Sequence, residues 1–534
     1  MPDALSAAVP HLSRVFGEHG FTEGGVSALL GAAATAALHR GETAAALRAT
    51  RGTGDSGRAE LIRFFLLRQP AGPRELRELL GARTVELLDA AGVLEHDGDS
   101  DGVRISVDVR PRVVGGTDRW IFSDPDPSVS GLVPGADHVP GVGAASLSLL
   151  QATPTDPVRC VLDLGTGCGI QMLGQLGCAE TVTGTDIHTR ALDFAEATLA
   201  GGGVPVTREG LRVSRTESRA GDGVATVDLR RGSWYEPVAG RRFDRIIANP
   251  PFVISPGGGF VYRDSGLDLD AASELVVSGA VRHLNPGGSA HMLASWVHTE
   301  ETSWTQRVAS WIPDTGVAAW ILQRDVADPE LYVGTWLRDG SVDPRSSEGR
   351  ERTVEWLDHF TANGVTGVGF GFVALQRIDD DSPSEVTAED FSVNETCGLG
   401  DEVTEFFTRS AWLRERDTDG IADSRFVVRP GVAVEDVRVT DEDTRQGFRP
   451  AALRITRTEG PRFSHDIDEH LMAVLSGIHP RGLTLRETVE LYCAAKGLDA
   501  DEVLPEAVAA VVDLIRHGIV LPADITVTGD RPVP

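Results

Sequence analysis

Two short runs in this chain bring together residue types that can do chemistry. The first is Asn249-Pro250-Pro251-Phe252, which follows the run Phe243-Asp-Arg-Ile-Ile-Ala248. An amide or exocyclic amine nitrogen is a poor nucleophile, because its lone pair is delocalised into a π system. Two fixed acceptors, the Asn249 side-chain oxygen and the Pro250 backbone carbonyl, can take both N–H bonds of such a nitrogen. They favour attack through the lone pair and stabilise the positive charge that develops. The prolines stiffen this array, and Pro251 has no N–H to compete. Phe252 offers an apolar face on which a flat substrate can stack. No acid–base residue need act first, since the proton can leave after transfer.

The second run is Asp163-Leu-Gly165-Thr-Gly167-Cys-Gly169. Glycines at alternate positions let the backbone turn sharply and leave room for a ligand against the main chain. Asp163, at the carboxyl end of an apolar strand, can bind an ammonium group directly or through water. Asp186 ends the next strand, Thr-Val-Thr-Gly-Thr-Asp, 23 residues further on. An acid at that place can accept both hydroxyls of a ribose, and a glycine loop of this kind also serves dinucleotides. His188 is expected at the edge of this pocket, not as a general base. Downstream of the tetrapeptide, Tyr262, Arg263 and Asp264 continue from the catalytic loop and are candidate acceptor contacts.

These residues need a scaffold that gathers strand ends. Apolar runs at 158–164, 181–185, 243–248, 289–295, 317–323 and 367–377 read as strands with helical patterns between several of them. That alternation requires a mostly parallel sheet covered on both faces. Residues 203–224 read as an insertion forming a surface loop or hairpin. Leu284-Asn-Pro-Gly-Gly288 reads as the turn from a helix into a strand. The expected domains are 1–125, 126–378 and 379–534. Three helices and a small hairpin near the amino terminus read as a winged-helix-like module, and the helices near 466–476, after Thr484 and over 501–517 suggest a second.

The 79 acids and 50 bases give a net charge of -29. This disfavours non-specific attraction to nucleic acid or anionic lipid. Cys160, Cys168, Cys178, Cys397 and Cys493 have no metal-ligand spacing and read as thiols of a reducing compartment. No metal constellation appears. With no secretory signal or membrane-length apolar run, a cytoplasmic location is expected. Trp296, Trp304, Trp311, Trp320 and Trp336 are expected as core or subunit-contact residues.

The ordered set Asp-x-Gly-x-Gly-x-Gly, strand-end acid and Asn-Pro-Pro-Phe resembles the "methyltransferase small" group of class I methyltransferases over residues 140–300. That group includes release-factor glutamine methyltransferases and RNA base N-methyltransferases. The resemblance implies an α/β, Rossmann-like domain with a seven-stranded mostly parallel sheet, flanked by winged-helix-like or α/β modules, and S-adenosylmethionine as cofactor. Asp163, Gly165, Gly167 and Gly169 would hold its methionyl part, Asp186 its ribose, and Ile187 would lie beside its adenine. Ser233 or Trp234 would supply a further contact after the third strand, and Asn249 would touch the cofactor as well as the acceptor. Catalysis would rest on Asn249, Pro250, Pro251 and Phe252. The implied activity is N-methylation of a planar nitrogen, a protein glutamine or asparagine amide or a nucleobase amine. The alternatives are an RNA adenine or guanine N-methyltransferase specifically, or a non-catalytic S-adenosylmethionine-binding protein. A macromolecular acceptor is expected, with a small-molecule acceptor also open.

Overall fold

The computed structural model describes residues 2–52, 56–96, 102–126, 135, 137–204, 206–208, 225–257, 266–391 and 398–526. The chain divides into two compact units, Met1–Leu150 with Thr155–Asp390, and Gln151–Pro154 with Phe391–Pro534.

The first unit opens with helices Pro2–Glu18, Glu23–His39 and Thr43–Ala49. Thr22 caps the second by accepting from the Gly25 amide, which satisfies one of its free N–H groups. Helices Pro73–Leu80 and Ala82–Ala90 follow. Strands β1 (Leu94–His96) and β2 (Val103–Ile105) then pair antiparallel, with Ala71 bridged to Val103 on the other side. Strands β3 (Asp108–Val114) and β4 (Thr117–Ser123) form a separate hairpin.

Aromatic burial ties this part together. Phe16 packs on Phe21, Phe65 and Trp120, and the Trp120 indole donates to the Phe21 carbonyl at 2.7 Å. The same part docks on helix Thr189–Ala200 of the following domain. The Thr198 hydroxyl accepts from the Phe122 amide at 3.0 Å, and Arg190 binds the buried Asp124 carboxylate through Nε at 3.0 Å.

A nine-stranded sheet follows, built from β5 (Val158–Leu164), β6 (Ala179–Asp186), β7 (Val206–Arg208), β8 (Thr226–Arg231), β9 (Phe243–Ala248), β10 (Leu284–Thr299), β11 (Val317–Ala327), β12 (Val365–Arg377) and β13 (Glu385–Asp390). Their order across the sheet is β13-β11-β12-β10-β9-β5-β6-β8-β7. Strand β12 runs antiparallel to both its neighbours, and every other pair is parallel. The expected seven strands form its middle, and short strands β7 and β13 extend its two edges. Of the segment 203–224, expected as a surface loop or hairpin, residues 206–208 form β7, parallel to β8, and residues 209–224 lie outside the described residues.

The carboxyl halves of strands β5, β6 and β9 are buried, as a parallel sheet covered on both faces requires. One core joins Leu162, Phe243, Ile246, Val276, Met292, Trp296, Trp311 and Leu375. Trp296 and Trp320 are fully buried, as their expected core role requires. A helical pair, Pro329–Asp339 and Ser347–Ala362, stands between β11 and β12 and packs on the outer half of the sheet through Tyr332, Val333 and Phe360.

The second unit contains helices Leu399–Arg414, Glu469–Gly477, Leu485–Lys496 and Ala500–Arg516 around a core of Trp412, Val489, Val511 and Leu514. Its short strands Phe426–Val428 and Val520–Pro522 pair antiparallel. Strands Val432–Thr440, Phe448–Arg457 and Ser464–Ile467 form a three-stranded sheet. Buried Glu402 binds both Arg409 and Arg457 at 2.7–2.9 Å. No single helix among the described residues is long and apolar enough to cross a membrane.

Candidate active site

Strand register gathers the two chemical runs at one edge. Leu164, the last residue of β5, lies beside Thr185 of β6 and Ala248 of β9. Asp186 lies beside Arg231 at the end of β8. The loops after β5, β6, β8 and β9 therefore all leave the carboxyl edge of the parallel strands, where open α/β sheets bind ligands.

The glycine loop is held by the neighbouring strand. The amides of Gly165 and Thr166 both donate to the Thr185 carbonyl, at 2.9 and 2.8 Å. Gly165, Gly167 and Gly169 have φ of 73°, 51° and 82°, values that strain a residue with a side chain. A Cβ at Gly165 or Gly167 would meet open space, whereas one at Gly169 would press on the Ala195 backbone at 3.2 Å. The first two leave room above the loop, and the third lets helix Ile170–Gln175 approach helix Thr189–Ala200.

Asp163 lies beneath this loop, only 1% exposed. Its carboxyl accepts from the Thr166 hydroxyl at 2.6 Å. Burial pushes its pKa up to about 7; the Thr166 hydrogen bond works against that rise and the nearby Asp186 charge adds to it. Asp186 accepts from the Gly167 amide at 3.1 Å and the His188 amide at 2.9 Å. Burial raises its pKa too, against the pull of those two N–H bonds. Ile187, next in the chain, is 50% exposed at the same edge. The Gly232 amide donates to the Asp186 carbonyl at 3.0 Å, bringing the end of β8 alongside. Ser233 and Trp234 are half-buried there, and Trp234 holds a φ of 48° while its ring packs on the sheet core.

The tetrapeptide is braced from elements distant in sequence. The Asn249 side-chain nitrogen donates to Ser146 Oγ at 3.3 Å. The Phe252 carbonyl accepts from the Ser295 hydroxyl of β10 at 2.6 Å. Past the loop, the Ile254 amide donates to the Tyr332 hydroxyl at 2.8 Å. The Phe252 ring lies 5.0 Å from the Phe370 ring of β12 and 6.5 Å from that of Trp336. The guanidinium of Arg324 covers Phe370 at 4.7 Å.

The structure thus brings Asp163, Gly165, Gly167, Gly169, Asp186, Ile187, Ser233, Trp234 and Asn249 through Phe252 to one edge. Tyr262, Arg263 and Asp264 lie outside the described residues. His188 is half-buried, and its ring Nε2 has no hydrogen-bond partner among the described residues. Ser146, Ser295, Tyr332 and Phe370 carry no motif that marks them in the sequence, and Trp336, expected as a core or contact residue, stands beside Phe252. Among the described residues no group of three or more His, Cys, Asp or Glu is arranged to hold a metal ion.

A parallel sheet with one antiparallel strand beside the last parallel one, and a glycine loop and acid at its carboxyl edge, defines a Rossmann-like class I methyltransferase fold. Residues 139–303 match the methyltransferase small domain family, and the central domain belongs to that family of S-adenosylmethionine-dependent enzymes. Residues 18–106 and 404–522 match two domains of unknown function (DUF7059 and DUF7782).

The release factor glutamine methyltransferase of Xylella fastidiosa (strain Temecula1) is 29% identical over 154 residues, covering 26% of this chain and 47% of the relative. The ribosomal RNA small subunit methyltransferase C of Escherichia coli (strain K12 / DH10B) is 30% identical over 174 residues, covering 32% and 41%. The chain thus spans less than half the length of these curated relatives. The solved structure of the T. thermophilus 16S rRNA N2 G1207 methyltransferase with AdoMet and guanosine is 17% identical and covers 50% of this chain and 66% of that one. Its TM-score is 0.26.

Proposed function

We propose that the protein is an S-adenosylmethionine-dependent N-methyltransferase acting on a planar nitrogen of a macromolecule, a protein side-chain amide or a nucleobase amine. The observation that carries this reading is the placement of Asn249 and the glycine loop on adjacent parallel strands. Donor and acceptor would then meet at one strand edge.

The residues present fit the cofactor. The open space above Gly165 and Gly167 admits a ligand against the backbone. Asp163 is a buried carboxyl with no cation beside it among the described residues, and a ligand ammonium would compensate its charge. Asp186 stands at the strand end with the exposed apolar Ile187 beside it, suited to a ribose and to the adenine next to it. The bound cofactor supplies an electrophilic methyl group on a sulfonium centre.

The chain's own contribution is to the acceptor. Asn249 Oδ1 and the Pro250 carbonyl accept the two N–H bonds of the nitrogen and turn its lone pair toward the methyl carbon. With the cofactor held there, its methyl carbon would join that lone pair and its sulfur would keep the electron pair of the broken methyl–sulfur bond. The extra proton on nitrogen leaves to solvent afterwards. Phe252, backed by Phe370 and Trp336, gives the planar group an apolar wall.

The test exposes separated protein and RNA fractions, from cells lacking the enzyme, to purified protein and methyl-tritiated S-adenosylmethionine. Asn249→Ala should lower labelling at least tenfold while leaving cofactor affinity nearly unchanged, because the lost acceptor acts mainly in the transition state. Equal loss of both would refute the catalytic assignment. Label in protein would select the side-chain amide, and label in RNA the nucleobase amine.

A further inference from the structure

The two ends of an asparagine carboxamide are nearly the same size, and only one of them can accept a hydrogen bond. The proposed chemistry needs the oxygen end of Asn249 turned to the acceptor nitrogen. Asn249 follows β9 in a loop, half-buried, so its own backbone does not fix the amide plane.

Among the described residues, one side chain hydrogen-bonds to it. The Asn249 nitrogen donates to Ser146 Oγ at 3.3 Å, across 103 residues of sequence. Asn249 Oδ1 accepts no hydrogen bond from a described residue, which leaves it to a ligand. Ser146 lies in helix Ala144–Ala152 and is itself anchored. Its carbonyl accepts from the side-chain nitrogen of Gln171 at 2.8 Å. Gln171 is 3% exposed and belongs to the helix that opens at Gly169. A chain of two hydrogen bonds therefore runs from the helix behind the glycine loop through Ser146 to the catalytic amide.

We infer that Ser146 is a positioning residue for the methyl transfer: by holding the nitrogen end of Asn249, it presents Oδ1 to the acceptor. The inference rests on the proposed role of Asn249. It makes the serine's hydroxyl, not its bulk, the property that matters.

The experiment compares Ser146→Ala, Ser146→Thr, Asn249→Ala and the double variant Ser146→Ala/Asn249→Ala by turnover and by cofactor dissociation constant. Alanine is a good helix residue, so the substitution suits the fold. Ser146→Ala should lower kcat about tenfold with the cofactor constant changed less than twofold, and Ser146→Thr should recover most of the loss. The double variant should be no slower than Asn249→Ala alone, because the serine acts only through that amide. A serine that merely supports the fold would instead give multiplicative losses.

Turnover of Ser146→Ala within twofold of the parent, or a multiplicative double variant, would overturn the inference while leaving the role of Asn249 intact. Undiminished turnover in Asn249→Ala would overturn that role, and with it the inference. A crystal structure of Ser146→Ala gives a readout that needs no acceptor. A rotated or disordered Asn249 amide is expected, and an unchanged one would again overturn the inference.

Discussion

If Asp163 meets the ligand ammonium as proposed, its carboxyl makes cofactor binding a proton-linked event. An ordinary aspartate titrates near pH 3.9, whereas burial holds this one at about 7. The rise is roughly three pH units, so carrying the charge in the ligand-free protein costs about 4 kcal/mol. The folded value is above the unfolded one, so the stability that goes with the neutral group is fully present below about pH 4. It is lost as pH climbs toward and through 7.

A ligand ammonium beside Asp163 favours the ionised form, so binding below pH 7 must expel a proton. Measured relative to Asp163→Asn, S-adenosylmethionine affinity should then rise about thirtyfold between pH 5.5 and 8.5 and flatten above pH 7. Calorimetry in buffers of differing ionisation enthalpy measures the proton directly. Relative to Asp163→Asn, which cancels any titration of the ligand's own amine, the parent should release about one proton at pH 5.5 and almost none at pH 8.5. Equal proton release by parent and variant at pH 5.5 would refute the reasoning that Asp163 faces the ligand cation.

Asp186→Ala removes the carboxylate that faces the cofactor edge and should weaken S-adenosylmethionine binding before it affects the chemical step; an unchanged dissociation constant would remove the ribose role. Tyr332→Phe leaves the Ile254 amide without its 2.8 Å acceptor. A buried N–H so orphaned costs about 1–3 kcal/mol, to be seen as a lower urea midpoint for the first unit, and an unchanged midpoint would show that water replaces the hydroxyl. Glu402→Ala strips the shared carboxylate from Arg409 and Arg457, both almost wholly buried. Arg409 keeps its pair with Glu405, but removing one partner of a buried ion pair costs about 3–5 kcal/mol, so the second unit should lose protease resistance while the proposed cofactor binding by the first persists.

Much of the central domain was legible from local chemistry. The carboxyl ends of β5 and β9 and the first half of β11 are buried on both faces, so their residues are mostly apolar without alternation and mark themselves in the chain. The glycines of the loop after β5 announce themselves because no other residue holds φ near 73° or 82° without strain. Asn249 to Phe252 stand out as residue types with a common chemical use. Each of these signals lies within about ten residues, where sequence and conformation constrain one another directly.

The remainder depended on pairings that no short window contains. Strands β7 and β13 are short and half-exposed, with no pattern beyond their neighbours, so two edges of the sheet went unseen. Ser146, Ser295 and Tyr332 are ordinary serines and an ordinary tyrosine until β9, β10 and the helices after β11 are folded together. Phe370 and Trp336 back Phe252 only because β12 returns antiparallel into the sheet. The sequence by itself determined which residues have the chemistry to bind the cofactor and orient a nitrogen. The tertiary structure alone decided which hydroxyls and rings hold them still, because those contacts span 40 to over 100 residues and are selected by packing rather than by local preference.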